Sequence, residues 1–387
     1  MRTTPWAAGL LAVVSALAWQ TLTVRYNYQG NWTALFCTGS QVRVPPQLAG
    51  EGIYTFPKSI GYDGQFYHYV AHDPLLKKGL DKYVDAPRLR YRRILLPGLA
   101  YLAAFGQDRW VDPAFISVVL LFVFLGAYWL SRCASLYGFH PIWGACFLLV
   151  PATLISVDRL VVDATLAALT VGFVYYARQG PPWKLYAVLA CAILTRETGV
   201  LLLAGYCLYL LWRRFAARAL LFGTAVVPAL AWYAYVQSGT RGGIDLLPSF
   251  LEAPRARWGA LRVLVTPKYD LPPVVTAAAT ALDYLVIAGI LLAIVLAIRF
   301  ALKWSPEPEA LPALLFGLLA ARMLFWAELI DPFTYPRVLS PLVLLLALQG
   351  LRARAWIACV PAGALAARVA LQLGNEGLGI LRGLFWS

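Results

Sequence analysis

The stretch DPAFISVVLLFVFLGAYWLS, residues 112–131, decides the fold class. Beyond Asp112 it holds no charged side chain, and a helix of that length, rising about 1.5 Å per residue, matches a bilayer hydrocarbon core of roughly 30 Å. Working outward, comparable apolar runs recur at 5–24, 141–157, 160–177, 183–195, 197–212, 218–236, 275–300, 309–328, 337–350 and 356–373. Composition agrees: the 387 residues are 60% hydrophobic and 13% charged, with a mean hydropathy of +0.66. A soluble fold cannot hide that much apolar surface, and the same figures exclude a disordered chain. The reading is an all-α polytopic membrane protein of about eleven transmembrane helices, one integral membrane domain over 1–387.

Residues 25–110 break the pattern with a segment rich in Tyr, Pro, Gly and charge, longer than a connection needs to be and therefore expected to be functional. Inside it, 94–105 is apolar but too short to cross, which predicts an interfacial helix. A helical module at 111–236, a second loop at 237–274 and C-terminal transmembrane helices at 275–387 complete the plan. Five of the six cysteines lie in or beside apolar runs and only Cys37 in a polar stretch, so neither a disulfide framework nor a zinc spacing is present.

Orientation follows from Lys and Arg in short loops. With a cytoplasmic amino terminus, the inner loops collect Arg132, Arg178, Lys184, Arg213, Arg214, Arg218, Arg299, Lys303, Arg352 and Arg354, against the acids Glu307 and Glu309. The same parity puts on the outer face the 25–110 segment, the Asp158-Arg159 and Thr195-Arg196-Glu197 corners, the 237–274 loop, and the run from Asp331 through Tyr335 to Arg337. The 237–274 loop departs from the rule with Arg241, Arg255, Arg257, Arg262 and Lys268, an exception that substrate binding would explain. The expected location is the plasma (inner) membrane of a bacterium, with the chemistry facing outward.

The basic excess, 33 Lys plus Arg against 19 Asp plus Glu, admits anionic headgroups, phosphate-bearing substrates or nucleic acid as partners. Arg outnumbers Lys 26 to 7, which suits bidentate phosphate binding and equally suits a GC-rich genome. No Gly-rich nucleotide loop, GxSxG elbow or HExxH occurs, and His68, His72 and His140 form no metal triad by spacing. Membrane lipids and a lipid-borne phosphate are the expected partners, and nucleic acid is not.

Charge at membrane depth usually marks a site. The densest cluster is Tyr62-Asp63-Gly64-Gln65-Phe66-Tyr67-His68-Tyr69, followed by His72-Asp73-Pro74. A carboxylate flanked by glycines and packed among aromatics suits proton abstraction; the plainer alternative is an aromatic belt with Asp63 capping a short helix. Arg88, Arg90, Arg92 and Arg93 surround Tyr91, either to grip a lipid-linked phosphate or to anchor to headgroups. Asp158, Arg159 and Asp163, and the pair Arg196-Glu197, stand at helix starts, where they either serve substrate or neutralise one another.

The order of these features resembles the GT-C superfamily of membrane glycosyltransferases. Three places carry the likeness: Tyr62-Asp63-Gly64-Gln65-Phe66-Tyr67 with the later Arg92-Arg93-Ile94-Leu95-Leu96-Pro97; Val150-Pro151-Ala152-Thr153 leading to Asp158-Arg159 and Asp163; and Leu194-Thr195-Arg196-Glu197-Thr198-Gly199, similar to the Thr-Arg-X-X-Gly corner of the GPI-mannosyltransferase-like branch. They cover roughly the first 210 residues. Tyr62-Asp63-Gly64 stands where the pattern has an aromatic-Asp-Ser or Asp-Glu form, and Asp158-Arg159 where it has an aromatic and a Glu.

The resemblance implies an inverting transfer of a hexosyl or pentosyl group from a polyprenyl-phosphate-linked donor to a lipid, glycan or protein acceptor. Asp63 matches the carboxylate that deprotonates the acceptor, and Arg92, Arg93, Arg196, Lys268 and Arg337 are the candidates for stabilising the departing phosphate. Tyr62, Gln65, Tyr67, His72, Asp73, Asp158, Arg159, Asp163, Glu197 and Tyr335 complete the expected substrate-binding set. No cofactor is expected; a divalent metal, which Asp63 with Asp73 or Asp163 would hold, stays open because no clear DxD is present. The rival functions are a transporter or flippase for lipid-linked saccharides and a noncatalytic assembly subunit.

Overall fold

The computed structural model describes residues 4–240, 272–303, 307–324 and 331–385. Most of the second loop, with Lys268, Arg241, Arg255, Arg257 and Arg262, lies outside the described residues. Helices dominate, and the strands described are a two-residue parallel pair, Thr38–Gly39 beside Thr55–Phe56. The protein is all-α. Helix α1 (Pro5–Asn27) starts on a Thr4 cap and Pro5 at its first position, where a missing N–H costs nothing. The long first segment holds α2 (Asp63–His72), α3 (Pro87–Arg92) and α4 (Leu95–Ala103), the last covering the expected 94–105 run.

Next come α5 (Val111–Leu136), α6 (Pro151–Arg159), α7 (Asp163–Arg178), α8 (Pro182–Thr195), α9 (Val200–Trp212), α10 (Ala216–Gly223) and α11 (Val227–Gly239). After the second loop follow α12 (Pro273–Ala301), α13 (Ala310–Met323), α14 (Thr334–Ala353), α15 (Val360–Gln372) and α16 (Gly374–Phe385). At the centre stand α7 and α14, buried along most of their length. Small residues let α7 pack closely on its neighbours, with Gly172 pressed against the Trp129 ring of α5.

Among the described residues five helices are long and apolar enough to cross a membrane: Pro5–Asn27, Asp108–Leu136, Ala216–Gly239, Pro273–Ala301 and Thr334–Ala353. Two bent pairs, Pro141–Leu149 with Pro151–Arg159 at 62° and Trp356–Gln372 with Gly374–Phe385 at 52°, raise the number to seven if each is one span. This is fewer than the eleven expected from apolar runs. The difference has local causes: Pro151 holds Val150 extended and breaks the 141–157 run. Leu160 adopts φ 43 between α6 and α7, and an extended Arg196 separates two short helices, Pro182–Thr195 and Glu197–Trp212. These breaks set ionisable side chains at helix ends inside the bundle.

Candidate functional site

The site begins with the chain geometry around Asp63. Gly61 takes φ +76, a left-handed conformation that suits glycine, and Tyr62 runs extended into the first turn of α2. Asp63 opens that helix, where its carboxylate meets the positive end of the helix dipole. A Cβ at Gly64 would stand 2.4 Å from the carbonyl oxygen of Arg159 and 2.8 Å from that of Phe36, both backbone atoms, so glycine is required for α2 to press on the Asp158-Arg159 corner.

From there Asp63 faces two arginines. Arg90 Nη2 donates to Oδ1 at 2.8 Å and Arg337 Nη2 donates to Oδ2 at 2.5 Å, although the three residues lie 27 and 274 positions apart in sequence. Arg337 also reaches Asp163 through Nη1 at 3.5 Å, and Asp163 is paired with Arg196. Asp163 and both of these arginines are buried. Burial pushes the Asp63 carboxyl up, but the adjacent Arg337 and Arg90 guanidinium groups outweigh it and hold the group well below the usual carboxylate range. Asp63 is therefore held as the carboxylate, with both oxygens engaged.

Beside it Arg93 grips Glu197 in a fork, Nε to Oε2 at 2.9 Å and Nη2 to Oε1 at 2.6 Å, and donates from Nη1 to the Tyr67 hydroxyl at 2.9 Å. Arg196 and Glu197, which the alternative reading has neutralising each other, are thus each paired elsewhere. The Tyr62 ring lies 5.0 Å from the Arg337 guanidinium and 5.4 Å from that of Arg159, which in turn sits 4.1 Å over Phe333. Arg159 also approaches Asp158 and Glu376, and Asp158 accepts from Trp19 Nε1 at 3.1 Å. Trp19 leads directly to an apolar cavity of about 420 Å³ between α1, the bent 141–159 pair and the α15–α16 elbow, lined by Ala16, Leu148, Leu154, Val157 and Leu373.

The fold does not gather every expected residue. Gln65 turns back to the backbone, accepting from Gly39 N and donating to Ile60 O. Asp73 accepts the backbone N–H groups of Lys77, Lys78 and Leu80 and so organises the turn after α2 instead of meeting substrate. His72 points the other way, to Asp108. Arg92 lies half-buried at the rim, with Tyr233 and Gln237. Tyr335 is buried in the apolar core at the start of α14. Lys268 lies outside the described residues.

Of the arginines around Tyr91 it is Arg90, and not the expected Arg92, that touches Asp63. The signal was helical phase: Arg90 and Arg93 are three apart and share a face, while Arg92 falls on another. Asp85, five residues before Arg90, holds it at 2.9 and 2.8 Å, a local pairing that the sequence reading missed, whereas Trp19 gave no sequence signal because its partner Asp158 lies 139 positions away.

Asp63 and Asp163 share the Arg337 guanidinium, a donor set that suits an anion and not a cation between them, and Asp73 is turned away. The buried Nε atoms of Arg196 and Arg337 have no hydrogen-bond acceptor among the described residues, so the cluster has donors to spare in a dry setting where anions bind strongly. Comparisons with family models, with curated protein sequences and with solved structures find no match to the chain.

Proposed function

We propose that the protein is a membrane glycosyltransferase of the GT-C type that transfers a sugar from a polyprenyl-phosphate-linked donor to an acceptor hydroxyl on the extracytoplasmic face. The observation that carries this reading is Asp63 held between Arg90 and Arg337, with the spare buried guanidinium donors of Arg196 and Arg337 beside it. A carboxylate and arginines able to bind phosphate, gathered in one buried cluster, are the two things an inverting transfer needs. The apolar cavity lined by Trp19, whose indole donates to Asp158, suits a lipid tail whose phosphate stops at the charged cluster.

In the proposed reaction the acceptor oxygen attacks the anomeric carbon, the bond from that carbon to the donor phosphate oxygen breaks, and the acceptor proton passes to Asp63. Bridged by two arginines, Asp63 is a weak base. A donor phosphate that draws Arg337 and Arg196 toward itself loosens that bridge, so basicity rises when the donor is bound. The same guanidinium groups then meet the negative charge that develops on the leaving phosphate.

The test is purified protein with synthetic polyprenyl-phosphate sugars and a mixed pool of lipid and glycan acceptors. Transfer in the wild type, reduced roughly 10²- to 10⁴-fold in Asp63→Asn, supports the assignment. Equal turnover in the variant, or donor binding with vectorial movement of intact donor across vesicles and no transfer, sinks it.

A further inference from the structure

The opposite face of α2 carries a second cluster that the proposed chemistry does not use. Asp63 and Tyr67, four residues apart, look toward Arg90 and Arg93; His68 and His72, also four apart, look toward the start of α5 and the loop before α2. There the side chains of Glu51, His68, His72 and Asp112 bring one donor atom each to within 4.8 Å of one another. His68 and His72 are fully buried, whereas Glu51 and Asp112 keep 20% and 22% side-chain exposure, so solvent reaches the site from one side.

The separations are those of ligands around a shared ion. His68 Nε2 and His72 Nε2 stand 3.2 Å apart, Glu51 Oε2 lies 3.6 Å from His68 Nε2, Glu51 Oε1 lies 3.5 Å from His72 Nε2, and Asp112 Oδ1 lies 3.8 Å from His72 Nε2. Donor atoms about 2.0 to 2.1 Å from a tetrahedral zinc ion are roughly 3.3 to 3.4 Å from each other. The exception is Asp112 Oδ1 to His68 Nε2 at 2.7 Å, which opens by about half an ångström on metal binding.

With both imidazoles neutral, protons alone satisfy this cluster poorly. His72 Nδ1 faces Asp108 Oδ1 at 3.0 Å, which fixes its proton there and leaves the Nε2 lone pair pointing inward. A single proton on His68 Nε2 must then serve both Asp112 and His72, while Glu51 Oε2 is buried with no donor among the described residues. A cation satisfies the inward-facing atoms of all four groups at once, while the buried Nδ1 of His68 has no partner among the described residues in either case. The outer carboxylate behind His72 is the partner that metal-bound imidazoles regularly have.

We infer that Glu51, His68, His72 and Asp112 bind one divalent transition-metal ion, zinc fitting best, which fastens the loop before α2 and the carboxyl-terminal half of α2 to the amino terminus of α5. Two imidazoles and two carboxylates favour zinc over magnesium, which prefers oxygen ligands and retains its water. The ion is a fastening for the element that carries Asp63, and the inference holds whether or not the chain transfers sugar.

The experiment uses the full chain purified in detergent without a polyhistidine tag. Its metal content is measured by plasma mass spectrometry, and after chelator dialysis zinc sulfate or magnesium chloride is titrated back while thermal unfolding is followed. The expected result is about one zinc per chain, a melting temperature that falls on chelation and recovers with zinc but not magnesium, and cobalt substitution giving the visible bands of a tetrahedral site. The double variant His68→Gln/His72→Gln loses the zinc, Glu51→Gln weakens it, and Asp108→Asn weakens it roughly 10- to 100-fold. Should the double variant not fold, Glu51→Gln on the partly exposed loop decides. The inference is overturned by wild-type protein that holds less than about 0.1 equivalents of any transition metal and shows no zinc-dependent shift, or by zinc binding that Glu51→Gln leaves unchanged.

Discussion

Helices α7 and α14 each run from one cluster of charge to another, and the two clusters are built on different principles. At the far end Arg178 closes α7 and Arg352 lies in the last turn of α14. Arg178 pairs with the buried Glu309 and with Glu307 at 3.2 Å, and Arg352 pairs with Glu307 at 2.5 Å. Cations at helix carboxyl ends are what the helix dipole favours. Around them stand exposed Trp143, Trp183 and Trp356, with Arg354 over the Phe139 ring at 3.9 Å, an aromatic and basic girdle of the kind found at a membrane boundary.

At the site end the acids obey the same rule, Asp63 heading α2 and Asp163 heading α7. Arg337 does not: it sits in the first turn of α14, where the dipole opposes a cation, and its Nε is buried without an acceptor among the described residues. The first arrangement follows the dipole throughout, whereas the second holds a cation against it and compensates that cation with the carboxylates of Asp63 and Asp163.

The largest effect should separate the two ends by activity. Asp63→Asn should lower transfer roughly 10²- to 10⁴-fold per folded molecule and should also lower the melting temperature, because the amide keeps the shape but loses the charge that Arg90 and Arg337 share. Glu309→Gln should destabilise only, by up to about 3 to 5 kcal/mol, by leaving the half-buried Arg178 under-compensated, while turnover per folded molecule stays the same. The pair is read by detergent-phase unfolding beside a transfer assay. Loss of activity in Glu309→Gln at equal folded fraction would show that the far cluster is not merely structural.

A smaller effect sharpens the account of Arg196. Its partner is Asp163, so Arg196→Ala and Asp163→Ala should each lower the melting temperature and the double variant should regain much of it. Donor affinity should not be regained. A charged hydrogen bond to phosphate is worth about 1.5 to 3 kcal/mol, roughly a 10- to 150-fold rise in donor Kd that persists in the double variant. Full recovery of both stability and donor affinity would leave Arg196 a structural residue.

How much of this was readable beforehand depends on the range of the interaction. Apolar run length was enough for an all-α chain with membrane-length helices, since each helix is specified by its own residues. The number of spans was not, because Pro151, Leu160 and Arg196 convert continuous apolar sequence into broken helices, and a break depends on tertiary packing. Asp63, Asp163, Glu197, Arg93 and Arg337 stood out as charges beside apolar sequence. Their pairing did not: Asp63 meets Arg337 across 274 positions and Arg93 meets Glu197 across 104, distances over which no periodicity speaks. His68 and His72 were visible as a pair four apart, but Glu51 and Asp112 join them only through the folded loop.

The smallest predicted effect concerns acid, and it tests the electrostatic premise of the whole site. Arg337 and Arg90 hold the folded-state pKa of Asp63 below its unfolded value, so the group contributes stability that is fully present above the unfolded pKa of about 4 and is lost as pH falls toward the folded pKa. The difference in unfolding free energy between wild type and Asp63→Asn should therefore be flat from about pH 8 to pH 5 and should shrink only below about pH 4, where the unfolded chain begins to take up a proton that the folded chain refuses. Denaturant unfolding of both proteins across that range measures it. A wild-type contribution that instead grows as pH falls from 7 to 5 would mean that Asp63 takes up a proton in the folded state near neutrality, with burial winning over two guanidinium groups. Asp63 would then be a stronger base before any donor binds, and the role given to the phosphate in releasing it from Arg337 would have no work to do.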